Sequence, residues 1–329
     1  MKVASTRFLH VANGTSTTNT MDLAGMPGAR SIWADPLYEG PVPDVSDEEL
    51  LEVRKRYLSS EDEDIDPMID LRTWRQMIAA HDAYDELVLW YEHDLFDQLN
   101  LIQVLGYIRA RVPAVKPVSL ICIGSFPGRP DFKGLGELTP DELAPLLETR
   151  QRVDDRQYDV AERAWKAFRA PTPEPLEALR HSDLSPLPFL APALERFLQD
   201  YPWTVDGLSR TERRLLQLAE EGPINVSAVF PRMHVDEVYH VSDLSLAFLV
   251  DTLARTSPPL LASAPRQGAV GPMAVLRGTV SLTEAGREVL SGRRDRVALG
   301  IDRWLGGVHL HDGADLWRWD DRRRTVTRR

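Results

Sequence analysis

Apolar positions along the chain fall into short continuous runs that alternate with stretches of helical spacing. FLHVAN, from Phe8, is followed at once by Gly14 and a Thr/Ser-rich segment, the pattern of strand, tight turn and helix start. SIWAD, ending at Asp35, reads as a second strand stopped by Pro36, and the three prolines and one glycine of PLYEGPVPDV mark an ordered surface loop. Ser46, with Glu49 three residues on, forms a capping box for a helix reaching about Leu58. The acidic stretch Glu61 to Asp66 reads as a solvated turn, and Pro67 opens a helix on which Met68, Leu71, Trp74 and Ile78 keep helical spacing. ELVLWYE is a third strand, apolar enough to be covered on both faces. Asp94 caps a helix from Leu95 to about Arg111, and VSLICIG supplies a fourth strand. This alternation predicts an α/β fold, a Rossmann-like three-layer domain with a mainly parallel sheet over residues 1–136.

From Thr139 the pattern turns helical. Thr139 and Glu142 form a capping box, Tyr158, Trp165 and Phe168 serve as core anchors, and five prolines punctuate the stretch from Pro171 to Pro188. Residues 137–206 are read as a helical bridge packed on the sheet. Ser209 and Glu212 cap LSRTERRLLQLAEEG, which Gly222 and Pro223 stop, and Ser242 begins a second apolar helix, SDLSLAFLVDTLAR. Residues 207–292 are expected to form an α+β unit and 293–329 a C-terminal hairpin with a basic tail. No internal repeat suggests a solenoid.

The 329 residues can bury a substantial core, and 43% hydrophobic with 27% charged content is that of a globular protein. The net charge of −11 is uneven: 18 Lys and Arg against 15 Asp and Glu from Leu208 onward leave −14 on residues 1–207. An acidic front half disfavours nucleic acid, because phosphate contacts supply most nonspecific affinity. The tail arginines, Arg322, Arg323, Arg324, Arg328 and Arg329, read as a solvated, frayed terminus. The single cysteine, Cys122, lies inside an apolar run and is expected to be a buried strand residue in a reducing compartment. No apolar stretch approaches the roughly 20 residues of a membrane helix, and the start lacks a signal peptide's pattern. A cytoplasmic protein without membrane contact is the expectation.

In an open parallel sheet, ligands sit beyond the carboxyl ends of the strands, where helix N-termini also point. His10, Asn13 and Gly14 end the first predicted strand, Asp35 the second, Glu92, His93 and Asp94 the third, with Ser125 after the fourth. Gly14, Thr15 and Ser16 at a helix start have the chemistry of an anion cradle, with Asn13 beside them. Asp35 lies 21 residues beyond Gly14, near the spacing of a ribose-binding acid, but the full G-x-G-x-x-G is absent. In EHDLFDQLN, His93 between carboxylates is equipped as a general acid/base, with Asp94 and Asp97 orienting it and His10 as a fourth catalytic candidate. His93 and Asp97 are four apart, which also suits a divalent ion, but no cysteine or second histidine stands at metal-motif spacing. Trp33 and Trp90 are placed either to stack on a ligand or to fill the core. Asp302, Arg303 and His309, in GIDRWLGGVHL, belong to a hairpin that can return to the first domain.

The strings LHVANGTST, WADPLYEGPVP, VLWYEHDLFDQLNLIQ, FKGLGELTPDEL, LPFLAPAL, GLSRTER and GIDRWLGGVHL together resemble the bacterial family named domain of unknown function 1835. That resemblance spans nearly the whole chain and implies no assigned activity. LSRTERRLLQL, the helix after it and VSLTEAGREVL are similar to winged-helix regulators, which implies a winged-helix-like fold for residues 207–292. The helix from Ser242 to Arg255 offers Asp243, Asp251 and Arg255 amid Leu246, Phe248, Leu249 and Val250, a poor surface for reading a major groove and a better one for packing on protein. Three functions stay open. The first is a ligand-binding domain, with groups fit for hydrolase or transferase chemistry, acting on a small polar or phosphate-bearing, nucleotide-like molecule. The second is a ligand-sensing regulator that binds DNA. The third is a non-enzymatic interaction module. Cofactor, metal and a homodimeric state are not specified by these residues.

Overall fold

The structure is a computed structural model and describes residues 6–59, 67–235, 242–268, 271–312 and 316–328. The acidic stretch Glu61 to Asp66, the side chain of Met68 and Arg329 lie outside the described residues.

Continuous apolar runs become strands where both faces are covered. The first part of the chain runs β1 (Phe8–Ala12), α1 (Thr15–Leu23), β2 (Ala29–Ile32), β3 (Gly40–Pro41), α2 (Asp47–Leu58), α3 (Pro67–Ala79), β4 (Glu86–Glu92), α4 (Leu95–Arg111) and β5 (Val118–Ile123). The mainly parallel sheet has the order β2-β1-β4-β5-β6, where β6 is Gln151–Arg152 and alone runs antiparallel. Strand order reverses between β1 and β4, because the chain leaves β1 toward β2 and returns on its other side. Alternation along each strand separates two faces. Leu9, Val11, Leu87, Leu89 and Tyr91 join the core formed with α4, whereas Phe8, Ala12, Val88 and Trp90 pack with Met21 of α1 and Leu135.

The second predicted strand is displaced. SIWAD predicts a strand ending at Asp35, but β2 stops at Ile32, and Trp33 turns its indole N–H into the Oε1 of Gln103 on α4 at 2.7 Å. Trp33 and Trp90 are both buried core residues. The helical bridge contains α5 (Pro140–Leu143), α6 (Asp155–Phe168), α7 (Glu174–Arg180) and α8 (Leu190–Leu198). It also supplies the edge strand β6, held where Arg150 Nε meets Glu86 Oε1 at 3.0 Å. Phe168 is fully buried, whereas Tyr158 and Trp165 are only partly so.

Beyond residue 207 come α9 (Arg210–Glu220), β7 (Ile224–Asn225), α10 (Val226–Met233), α11 (Asp243–Ala254), β8 (Leu261–Ala264), α12 (Gly271–Leu276), β9 (Thr279–Leu282) and α13 (Glu284–Leu290). The antiparallel sheet here has the order β7-β9-β8. Two helices escaped the sequence pattern. α10 carries Pro231 inside it, and α12 is six residues long and opens on a glycine.

α11 is tied to the first part of the chain. The hydroxyls of Tyr38 and Ser245 lie 2.9 Å apart, the N–H of Ser242 donates to Tyr38 Oη at 3.2 Å, and Ser245 Oγ donates to Glu39 Oε1 at 3.0 Å. Tyr38→Phe leaves these buried groups short of a partner and is expected to cost about 1–3 kcal/mol. Urea denaturation measures it, and a loss below about 0.5 kcal/mol would count against this account of the docking.

The C-terminal segment is more ordered than a frayed tail. β10 (Asp302–Gly306) and β11 (Val308–His311) form the expected hairpin, and β10 pairs in parallel with β3, so it does return to the first part. β12 (Trp317–Asp320) and β13 (Thr325–Arg328) form a second hairpin whose Trp319 is completely buried, its backbone N–H donating to the Pro202 carbonyl at 2.9 Å. Arg324 pairs with Glu195 and Arg318 with Asp295. This second hairpin is anchored by Trp319 and Trp317, which pack on the core, while Arg322, Arg323, Arg324 and Arg328 stay exposed to solvent.

Candidate functional site

The reversal of strand order between β1 and β4 places the ends of these two strands side by side, and in open parallel sheets that is where a crevice forms. Here a hydrogen-bonded network joins the two strand ends as a floor. Asn13, just past β1, donates from Nδ2 both to Glu92 Oε1 at 2.7 Å and to Asp97 Oδ2 at 3.0 Å. Its Oδ1 accepts from Thr17 Oγ1 at 2.8 Å, so the whole amide is engaged. Asp97 Oδ2 also takes the Glu92 N–H at 2.5 Å, and Glu92 Oε1 takes the Leu135 N–H at 2.5 Å. Gly134 is required by this approach. A Cβ there would collide with Glu92 Oε2.

Asp94 does what its position in the sequence implies. It is the N-cap of α4, with Oδ1 accepting from the Asp97 N–H at 2.9 Å. Burial raises its carboxyl, opposed first by that hydrogen bond and then by the nearby His93 and His234. Glu92 is pushed up to about 8, chiefly by burial and then by Asp94. Asp97 is raised well above the usual carboxylate range by burial, with Glu92 and Asp94 adding to it. Two buried carboxyls on one amide cannot both stay ionised at little cost, and they titrate as a pair that retains a proton at neutral pH.

Above this floor, α1 begins. Its N-cap is Gly14, which has no side chain to accept from the first-turn N–H groups, and nothing lies within 4 Å of where a Cβ would be. Thr15 and Ser16 are exposed beside it, and neither caps the helix. Gly136 packs directly on Ser16, so the Gly134–Gly136 turn borders both the carboxyl pair and the start of α1. His93 stands at the rim with its ring edge-on to Phe189, centroids 6.1 Å apart, and its buried Nδ1 has no hydrogen-bond partner.

Two residues expected at this rim are elsewhere. His10 lies in the middle of β1 on the α1 side, fully buried. Trp90 Nε1–H donates to its Nδ1 at 3.1 Å and its Nε2–H donates to the Pro27 carbonyl at 2.9 Å, which fixes one neutral tautomer. Burial drives its pKa down to about 4, with Arg30 and Arg150 contributing, so it is no acid/base near neutrality. Asp35 is committed to Arg54, whose Nη2 sits 2.7 Å from Oδ1, with the two side chains 3% and 1% exposed. It is therefore not a ribose-binding acid at the rim. The cause is the early end of β2: Asp35 turns under α4, where its N–H donates to Asn100 Oδ1 at 2.9 Å.

The structure thus brings Asn13, Gly14, Thr15, Ser16, His93, Asp94 and Asp97 to one place and leaves His10 and Asp35 out. Asp97 is a foundation for the floor and not an open group. Ser125 is exposed just past β5. Asp302 and His309 meet at 2.7 Å on the β10–β11 hairpin, with the His309 ring stacked on Trp304. Cys122 is half-buried in β5, its thiol donating to the Glu92 carbonyl at 3.4 Å. The sequence pattern marks Glu92 only as a strand end and does not mark Leu135, Phe189 or His234 at all. Only the glycines flanking Leu135 in FKGLGEL signal a close approach.

No family model and no curated protein matches this chain. Among the described residues, no group of three or more His, Cys, Asp and Glu side chains is arranged to hold a metal ion. No helix among them is long and apolar enough to cross a membrane.

Proposed function

We propose that the chain binds a small phosphate-bearing, nucleotide-like molecule at the carboxyl ends of β1 and β4, in a Rossmann-like three-layer domain, and acts on it as a hydrolase or transferase. The observation that carries this reading is the start of α1: a glycine N-cap with open space over it, two exposed hydroxyl residues, and the point of strand reversal beneath. Helix N–H groups and hydroxyls there are suited to phosphate oxygens. His93, one residue beyond β4, has a buried ring nitrogen that a ligand group or bound water would satisfy, and it is the general acid/base of this reading. The likeness to the family named domain of unknown function 1835 and a cytoplasmic setting are part of the same proposal.

Isothermal titration with inorganic pyrophosphate and with nucleoside monophosphates tests it. Saturable binding is expected, weakened about ten- to hundredfold by His93→Ala, the worth of a hydrogen bond to a charged group. The melting temperature without ligand should hardly change. Unaltered affinity in a folded His93→Ala protein refutes the assignment of His93, and no binding of any of these probes refutes the site.

The winged-helix-like fold implied by LSRTER and VSLTEAGREVL is supported by the succession of α9, β7, α10, α11, β8 and β9 with the sheet β7-β9-β8, α12 being an addition between β8 and β9. DNA reading is the less favoured role for it. A recognition helix presents its N-terminal residues to base edges, and here Ser242 and Ser245 are spent on Tyr38 and Glu39. The outward face of α11 carries Leu244 and Phe248, 42% and 50% exposed, a surface for protein contact. A salt-dependent mobility shift with mixed genomic fragments would reverse this preference.

A further inference from the structure

The outer edge of β5 is incompletely covered. β6 pairs with Ser119 and Leu120 and goes no further, and beyond that point the strand borders a cavity of about 200 Å³ closed on its other side by Pro186–Phe189. Leu101, Leu120, Leu187 and the Phe189 ring give it apolar walls, and among the described residues no charged side chain lines it. The polar groups that reach it are already turned toward protein. Gln98 Nε2 donates to the Glu92 carbonyl at 2.6 Å and to Cys122 Sγ at 3.4 Å. Gln157 donates to the Pro186 carbonyl at 3.3 Å and accepts from the Asp154 N–H at 3.0 Å.

We propose that this cavity is a second binding site, for an uncharged molecule built on a single aromatic ring. Its size decides the ring: an apolar cavity of about 150 Å³ takes up benzene, so this one has room for a ring with a small substituent. Its lining decides the charge, because an ionised carboxylate moved into walls without a counter-ion loses its hydration with nothing in return. The chemistry is thus opposite to that of the anion cradle at α1, and Phe189 is the wall shared between this cavity and His93.

Titration of the full chain with benzamide and with benzoate, by calorimetry and ligand-observed NMR, tests the proposal. Gln151→Trp and Thr149→Trp serve as controls, since both side chains are exposed at the cavity mouth and a bulky ring there closes it without disturbing the core. Saturable one-to-one binding of benzamide is expected, at least about tenfold tighter than benzoate and weakened about tenfold or more in either Trp variant. The variants should melt at the wild-type temperature. No saturable benzamide binding, equal affinity for benzoate, or unchanged affinity in both folded Trp variants overturns the site.

Discussion

Replacing Arg54 with Met is expected to lower the free energy of unfolding by about 3–5 kcal/mol, because it strands a buried carboxylate. The guanidinium holds Asp35 from two directions, with Nε 3.0 and 3.1 Å from the two oxygens and Nη2 2.7 Å from Oδ1. Its remaining donors close the loop before α2, Nη1 to the Glu39 carbonyl at 2.8 Å and Nη2 to the Pro36 carbonyl at 3.1 Å. The charged pair itself need not be worth much, since an apolar pair of the same volume can replace it at little cost. Asp35→Leu combined with Arg54→Met is accordingly expected to recover most of the loss. Urea unfolding of the two single variants and the double variant gives the comparison. A single-variant loss under about 1 kcal/mol would show that water reaches the pair and that Asp35 is more accessible than its surroundings imply.

Glu92→Gln is expected to remove much of the pH dependence of stability between mildly acidic and mildly alkaline conditions. Burial lifts the Glu92 carboxyl in the folded protein from the ordinary 4.5 to about 8, so the folded state holds a proton that the unfolded chain releases. Stability from this group is therefore complete below the unfolded value and is lost as the pH rises through the folded one. Asp97 is shifted in the same direction and adds to the trend. A glutamine keeps the shape and can still accept from Asn13 and Leu135, but it has no proton to lose. The variant should match the wild type near pH 5 and exceed it by on the order of a few kcal/mol near pH 9. Denaturation midpoints across that range decide the matter: parallel curves for the two proteins would mean that Glu92 is ionised throughout and that the floor of the site is wetter than its burial implies.

Helix caps are legible in the sequence because they are short-range. Ser46 with Glu49, Thr139 with Glu142 and Ser209 with Glu212 all form reciprocal capping boxes, and Asp94 caps α4. Each needs only two residues three apart, so the local sequence alone sets the pairing. The runs FLHVAN, ELVLWYE and VSLICIG are strands for a similar reason, since an apolar segment of that length is satisfied only between two covered faces. The site is another matter. His10 and Asn13 are three residues apart, yet one is sealed beneath Trp90 and the other clamps Glu92 and Asp97. A residue's face and its distance from the strand end settle that difference, and a shift of β2 by a few residues carried Asp35 from the rim to Arg54.

What the chain dictated alone was the succession of β1, α1, β4, α4 and β5 and the stretch around His93 and Gly14 where polar groups collect at strand ends, because periodicity and capping act within a few residues. What required the folded molecule was the choice of partners: Asn13 to Glu92, Leu135 to Glu92, Tyr38 to Ser245 and the tail's Trp319 to Pro202 join segments 79, 43, 207 and 117 positions apart. Such contacts depend on which neighbour supplies a matching donor once water is excluded, and that competition is decided in three dimensions.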